Sequence, residues 1–322
     1  MVDEWGLAPN LALLVAIRET EHVTRAAELL GIPQPTASRR LAALSAAVGA
    51  PLTVPAGRGV RLTRAGRTLA DAAARALAVV EAGAREVREE ADPATGRVVL
   101  GFLHLLGRSL VPALVRGFRE HHPGVRLSLV QGSRQEMLRR LRHGEIDLVM
   151  VAPLPSDDPE FSGVPLADQE LVLTVPGTHR LAHRRRVRVA ELADEPFVTL
   201  EQGYGLRQIT DELCAAAGFQ PRIAFEGQES DTVRGLVGAG LGVALLPRFE
   251  PAPPPGVAEI RLEPALFRTI GLVRPATGRL TPAVRAFHDH VLSAIPTWPA
   301  NSAPQTLPAE PERLGGFTPW WT

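Results

Sequence analysis

Apolar residues in the first ninety positions recur at helical spacing, and their phase outlines four helices and a ribbon. Leu7, Leu11, Leu14 and Val15 mark an amphipathic helix over 7–20. Ala26, Ala27, Leu29 and Leu30 mark a shorter one, with Thr24 as the predicted N-cap, Val23 as a hydrophobic staple and Gly31 closing it. A third helix opens at Gln34-Pro35, since proline is tolerated in a first turn, and Ala37, Leu41, Leu44 and Val48 are its inward positions. The same phase turns Gln34, Thr36, Ser38, Arg39, Arg40 and Ala42 outward. An amide, two hydroxyls and two guanidiniums are groups that reach base edges and phosphates in a major groove, so the pair of helices reads as a helix-turn-helix. Thr53–Thr63 reads as a small β-ribbon turned at 56–59, with Arg58 and Arg61 placed for phosphate contact. Residues 69–88 form a longer helix in which Leu69, Ala73, Ala76, Val80, Gly83 and Val87 step by 4, 3, 4, 3 and 4. That heptad spacing predicts a seam for a second helix, and so a dimer presenting two readers.

After a Pro- and Gly-containing hinge at 91–96 the pattern changes to alternating strands and helices. Strands are predicted at 97–103, 125–130 and 146–151, with helices at 106–121 and 134–142 between them, a series that implies parallel strands and right-handed crossovers. A second set follows: strands at 170–175, 197–200, 222–225 and 242–246, with helices at 206–217 and 230–237. A strand at 268–273 and a helix at 282–295 return the chain. Residues 297–322, rich in Pro and polar residues, read as a disordered tail whose apolar end, Phe317 to Trp321, has no explanation in the pattern.

Charge changes this picture locally. The whole chain of 322 residues is neutral, with 35 basic and 35 acidic residues, yet between Thr36 and Arg75 seven arginines face one acid, Asp71. All the basic residues other than histidine are arginine, a compositional bias of the source genome more than a choice made by function. Cys214 is the one cysteine, which excludes a disulfide framework and fits a reducing cytoplasm; its place in a helix reads as a buried, inert thiol. No apolar run is long enough to span a membrane and no leader or lipidation signal is present, so a cytoplasmic location is expected.

Residues 7–66 resemble the DNA-binding domain of LysR-type transcriptional regulators. Leu11–Ala16, Thr24–Leu30, Gln34-Pro35, Ser38-Arg39, Leu41, Leu44, Gly49, Pro51-Leu52 and Gly59–Gly66 carry the likeness. Pro33 departs from the family's serine N-cap, and Thr53 and Pro55 from a phenylalanine and an arginine in the wing. Residues 97–295 resemble the effector domain of the same family, similar to periplasmic solute-binding proteins, through Gly144–Leu148, Phe225-Glu226-Gly227 and Gly240–Pro247. The resemblance implies an α/β chain: an N-terminal winged helix-turn-helix, otherwise all-α, at 1–66, a linker and dimerisation helix at 67–91, and a two-lobed effector domain of periplasmic-binding-protein type at 92–296. Lobe I takes 92–162 and 268–296, lobe II 163–267. Thr24, Gln34, Pro35, Thr36, Ser38, Arg39, Arg40, Arg58 and Arg61 are then the DNA-contacting set, and Leu69, Ala73, Ala76, Val80 and Val87 the dimer seam. The implied protein is a homodimer or homotetramer on an inverted-repeat operator in double-stranded DNA, acting with RNA polymerase, with a small-molecule effector between its lobes.

Strand ends and helix starts place Leu103, His104, Leu105, Ser133, Ala152, Glu201, Tyr204, Gln228 and Glu229 around that effector. Two carboxylates and few hydroxyls among them suit a ligand with an apolar body and hydrogen-bond donors better than a simple aromatic acid or a dicarboxylate. The alternatives are a DNA-binding regulator with no small-molecule response and, less in keeping with the N-terminal module, a solute-binding protein. Enzyme signatures are weak: the glycines at 238–242 follow a helix and lead into a strand, the reverse of a dinucleotide fingerprint. The histidine pairs at 121–122, 179–183 and 288–290 have no convergent ligand set, and no cofactor or metal is called for.

Overall fold

The computed structural model describes residues 8–57, 59–91, 96–155, 158–250 and 252–294. Arg58, Leu7, most of the 91–96 hinge and the 297–322 tail lie outside the described residues. The chain divides into two compact units, Met1–Arg88 with Arg142–Glu145, and Glu89–Leu141 with Ile146–Thr322.

In the first unit, α1 (Ala8–Thr20), α2 (Val23–Leu29) and α3 (Gln34–Val48) precede a hairpin of β1 (Thr53–Ala56) and β2 (Gly59–Leu62), and α4 (Arg64–Ala91) follows. The core holds Leu13, Leu14 and Ile17 of α1, Ala26 and Ala27 of α2, Ala37 and Leu44 of α3, and Leu52 and Leu62 around the hairpin. Gly31 at φ +62° ends α2, and Gly49 at φ +73° ends α3. Each closes its helix with the same two bonds: Gly31 N–H to Glu28 O and Ile32 N–H to Ala27 O, then Gly49 N–H to Ala46 O and Ala50 N–H to Ser45 O. Three expectations are corrected. Leu29 and Leu30, read on the apolar face of α2, are exposed, and only Ala26 and Ala27 enter the core. His22, not Thr24, is the N-cap of α2, and its side chain makes no cap bond, so Thr24 is an exposed residue of the first turn. Val48 is exposed, because the helix's last turn runs past the core that Leu41 and Leu44 enter. Pro33 precedes α3 without a side-chain cap. Thr63 does cap α4, its Oγ1 accepting from Gly66 N–H at 2.9 Å.

The second unit contains β3 (Arg97–Phe102), α5 (Leu110–His121), β4 (Arg126–Gln131), α6 (Arg134–Arg142), β5 (Leu148–Val151), β6 (Phe161–Pro176), β7 (Arg186–Val187), β8 (Pro196–Leu200), α7 (Gly205–Ala216), β9 (Arg222–Gly227), α8 (Ser230–Gly238), β10 (Ala244–Pro247), β11 (Val257–Pro275) and α9 (Pro282–Ala294). The helix predicted from 106 is a 3-10 turn over His104–Arg108 followed by α5. The main sheet runs β10-β6-β11-β5-β3-β4, with β7 beside β11, and β8 and β9 form a second pair. β3 is parallel to β4 and β5, and β8 to β9, as the alternation implies, but β6, β10 and β11 are joined antiparallel.

The strands predicted at 170–175 and 268–273 are parts of much longer ones. β6 has 16 residues and β11 has 19, paired from Phe161↔Pro275 to Pro176↔Val257 with register shifts at 261/266 and 270/271. Pro165, Asp168 and Pro264 interrupt the apolar alternation, which is why the sequence shows only the ends. Two apolar cores lie along this ribbon. One gathers Leu100, Phe118, Met137 and Phe287 with Leu166 and Ile270 of the ribbon. The other gathers Phe197, Leu206, Val233 and Val243 with Leu171 and Ile260. The change from one core to the other falls within the strands, not in a loop.

Candidate DNA-reading and effector sites

On α3 the outward set is solvent-facing where the phase places it. Gln34, Pro35, Ser38 and Arg39 are exposed, and Thr36 and Arg40 half-buried, opposite the buried Ala37, Leu41 and Leu44. The groups engage one another one helical turn apart: Gln34 Nε2 donates to Ser38 Oγ at 2.9 Å and Arg39 Nη2 to Thr36 Oγ1 at 3.4 Å. These exposed bonds are readily exchanged for bonds to a base edge. Arg61 is exposed on β2, opposite Val54 of β1. Arg25 on α2 and Arg64 at the start of α4 are also exposed and were not singled out; Arg64 was visible in the arginine surplus. Arg67, another of that surplus, donates from Nη1 to Leu62 O at 2.8 Å and so ties α4 to the ribbon.

Along α4 the seam divides. Leu69 packs on the core of its own unit and Ala73 is buried within the chain, so neither is free for a partner helix. Ala76, Val80 and Val87 are exposed, and Val79, outside the heptad series, joins them.

In the second unit an open cleft lies where the two cores meet. Leu103, His104 and Leu105 of the first lobe face Tyr204 and Gln228 of the second across it. The His104 and Tyr204 rings stack across the gap, centroids 6.4 Å apart and 27° from parallel. Burial raises the Tyr204 hydroxyl above its usual pKa, and the Glu201 and Glu229 carboxylates add to that. Gly205 lets α7 begin against the cleft wall: a Cβ there would lie 2.3 Å from Ala152 O.

Four of the nine expected residues do not line the cleft. Ser133 caps α6, its Oγ accepting from Glu136 N–H at 3.2 Å, while neighbouring Gly132 takes the lining position. Ala152 is buried behind Gly205. Glu201 accepts from Gln228 Nε2 at 3.2 and 3.3 Å, and Glu229 is the exposed residue before α8.

The residue that sequence reasoning missed is Arg268. It lines the cleft from β11, is 4% exposed, and sits in the ribbon between the two cores. Its Nε and Nη2 donate to Gln169 Oε1 at 3.0 and 2.8 Å, across the strand pair that places Arg268 opposite Gln169. The available signal was a charge inside the strand-like run Leu266–Ile270.

A model of the bacterial regulatory helix-turn-helix protein, lysR family, matches residues 9–67, and a model of the LysR substrate binding domain matches residues 91–296. The chain is a LysR-type transcriptional regulator. The HTH-type transcriptional regulator YybE of Bacillus subtilis is 34% identical over 90% of this regulator and 98% of its own length. The transcriptional dual regulator GltC of the same organism is 31% identical over 88% and 95%. Among solved structures, the effector-binding domain of QuiR in complex with shikimate is similar with TM-score 0.59 and 28% identity, covering 63% of this regulator and 99% of that domain. The regulator thus combines a DNA-binding domain with an effector-binding domain. Among its described residues no helix is long and apolar enough to cross a membrane, and no cluster of His, Cys, Asp and Glu could hold a metal ion. The histidines have other neighbours: His290 Nε2 lies 3.0 Å from Leu114 O, and His179 Nε2 3.3 Å from Glu195 Oε2.

Proposed function

We propose that α3 reads an inverted-repeat operator in double-stranded DNA, with Gln34, Ser38 and Arg39 on base edges and Thr24, Pro35, Thr36, Arg40, Arg58 and Arg61 on or near the phosphates. The observation that carries this reading is the sidedness of α3, on which Gln34, Ser38 and Arg39 are exposed while the opposite face fills the core. The exposed stripe of Ala76, Val80 and Val87 on α4, widened by Val79, pairs two copies in a homodimer, or two such dimers in a tetramer, and sets the spacing of the readers. The protein works in the cytoplasm, beside RNA polymerase, without enzymatic turnover.

An effector in the cleft between Leu105 and Tyr204 changes lobe closure. It alters operator affinity by as much as its own affinity differs between the two states. QuiR's domain supports the choice of cleft, because it is described in complex with a small molecule. A redox role for the one cysteine finds no support among the described residues. Cys214 is fully buried in α7, and burial, with Asp211 nearby, pushes its thiol up to about 12, leaving no thiolate at neutral pH.

The test is footprinting on the DNA upstream of the reading frame, with fluorescence anisotropy for variants. Arg39→Ala relaxes discrimination at one base position, and Val80→Asp lowers the association state seen by sedimentation. Equal losses on operator and random DNA for Arg39→Ala would remove it from the base-reading set, and an unchanged association state would remove α4 from the dimer.

A further inference from the structure

We infer that the effector of this cleft is a compact cyclic monocarboxylate whose anionic group seats on Arg268. The inference rests on the reading of the cleft as the effector site and names the chemistry that the site selects. Nε–H and one Nη2–H of Arg268 go to the single oxygen of Gln169. That occupies one side of the guanidinium and fixes its plane. The outer edge, Nη1 with the second Nη2–H, receives no acceptor from any described residue, and it borders the cleft that Arg268 lines. Such an edge presents two parallel N–H groups, the arrangement that binds a carboxylate in bidentate fashion.

Among the described residues no acid is placed to compete. Asp168, next to Gln169 in sequence, belongs to the adjacent cross-strand pair and accepts from Thr269 Oγ1 at 2.6 Å, on the opposite face of the ribbon. Burial is the sole cause acting on the guanidinium's pKa, with no carboxylate offsetting it. Two helix N-termini open on the cleft: α7, 12 residues long, begins at the lining residue Gly205, and α8, 9 residues long, at the buried lining residue Ser230. Neither has a side-chain cap bond.

The rest of the cleft defines the body of the ligand. Leu103, Leu105, Leu200 and Leu206 give apolar walls, and the stacked His104 and Tyr204 rings favour a flat or cyclic body. Tyr204 feels the negative charges of Glu201 and Glu229, which disfavour a second anionic group at that end. This differs from the expectation of a ligand with an apolar body and hydrogen-bond donors, which was drawn without Arg268.

The experiment is calorimetric titration of the full-length protein with benzoate, cyclohexanecarboxylate and shikimate, with benzamide as the neutral counterpart and inorganic phosphate as a non-carboxylate anion. At least one carboxylate should bind. Benzamide and phosphate should bind at least 30-fold more weakly than the best of the set. Arg268→Gln should weaken that carboxylate at least 100-fold, and Arg268→Lys about tenfold, because charge remains but the fork does not. Far-ultraviolet circular dichroism establishes that each variant is folded, and Arg268→Met serves as a second charge-free variant. The inference is overturned if no carboxylate in the set binds, if benzamide or phosphate binds as well as the acids, or if both charge-free variants bind a carboxylate within threefold of the natural protein. Leu105→Trp tests the cleft separately: a compound that binds regardless of Leu105→Trp and of His104→Ala lies elsewhere, and then the cleft reading itself fails.

Discussion

Arg234 and Arg268 are buried to nearly the same degree, 2% and 4% exposed, in two neighbourhoods of one domain, yet their surroundings treat the charge in opposite ways. Around Arg234 the protein supplies partners. Nη2 donates to Pro247 O at 2.7 Å and lies 3.4 Å from Glu259 Oε1, Nη1 reaches Asp231 at 3.4 Å, and the guanidinium lies over the Phe249 ring at 4.8 Å. Glu259 in turn accepts from Phe249 N–H at 3.1 Å. Around Arg268 there is one neutral amide and an open edge. The first arrangement closes α8 against the second lobe with two acids beside the charge, and only Nε finds no acceptor among the described residues. The second is incomplete, and it lies in the cleft. Burial by itself therefore does not distinguish a structural charge from a functional one; the presence or absence of an acid beside it does.

The largest effect that sharpens this contrast is Arg234→Met. Burial already lowers the Arg234 pKa and raises that of Glu259, so desolvation outweighs the attraction between them. Removing the cation leaves Glu259 without its counter-ion and should cost about 3–5 kcal/mol in urea denaturation. Replacing both, with Glu259→Leu added, should restore most of that loss. If the double variant stays as unstable as the single one, the pair itself holds α8 in place.

Arg268→Met should act in the other direction. Losing a buried charge with no acid partner should stabilise the unliganded protein by about 1–2 kcal/mol, net of the bonds to Gln169, while carboxylate binding disappears. A fall in denaturation midpoint would put Arg268 in the same class as Arg234.

A smaller effect lies in the pH dependence. Burial holds the Arg268 guanidinium down to about 9, well below its ordinary value in the unfolded chain. The unfolded chain binds the proton more tightly, so the penalty is complete below about pH 9 and relaxes as pH rises above about 9 towards the higher unfolded value. The stability advantage of Arg268→Met should be flat from pH 6 to 8 and narrow by at most about 1.4 kcal/mol per unit above 9. Narrowing on the acid side instead would assign the effect to another group.

The smallest stability changes belong to a third kind of arginine. Arg39 and Arg61 are exposed, so alanine at either should shift stability by no more than about 0.5 kcal/mol. Their effects should appear in DNA binding alone: about 1–3 kcal/mol and a loss of discrimination for Arg39→Ala, and a salt slope flatter by about one for Arg61→Ala. A large stability loss for Arg39→Ala would mean that α3 depends on its bond to Thr36 for folding.

The N-terminal domain was nearly all legible because its elements are local: one helical period, two glycines at left-handed positions and a short ribbon. Where the reading slipped there, at Thr24, Leu29, Leu30 and Val48, it slipped at helix ends, where the apolar period runs past the core. The effector domain was legible in its strand–helix alternation but not in its two longest strands, whose middle residues face different surroundings at each step. Leu103, His104, Leu105, Tyr204 and Gln228 were found because they follow strand ends or precede helices. Arg268 has no such marker. Its role comes from which residue stands opposite it 99 positions away and from the absence of an acid, and neither is written in the local pattern.

The ribbon of β6 and β11 also bears on how this protein can be divided. The passage between lobes lies inside two hydrogen-bonded strands, between Leu166 and Leu171 on one and between Leu266 and Ile270 on the other. A cut at the border of either lobe would sever both strands in mid-ladder and leave a row of unpaired amides and carbonyls on each fragment, open to aggregation. Recombination that exchanged one lobe for a relative's would have to match the register of two strands at once. The two lobes therefore have to be engineered as one piece.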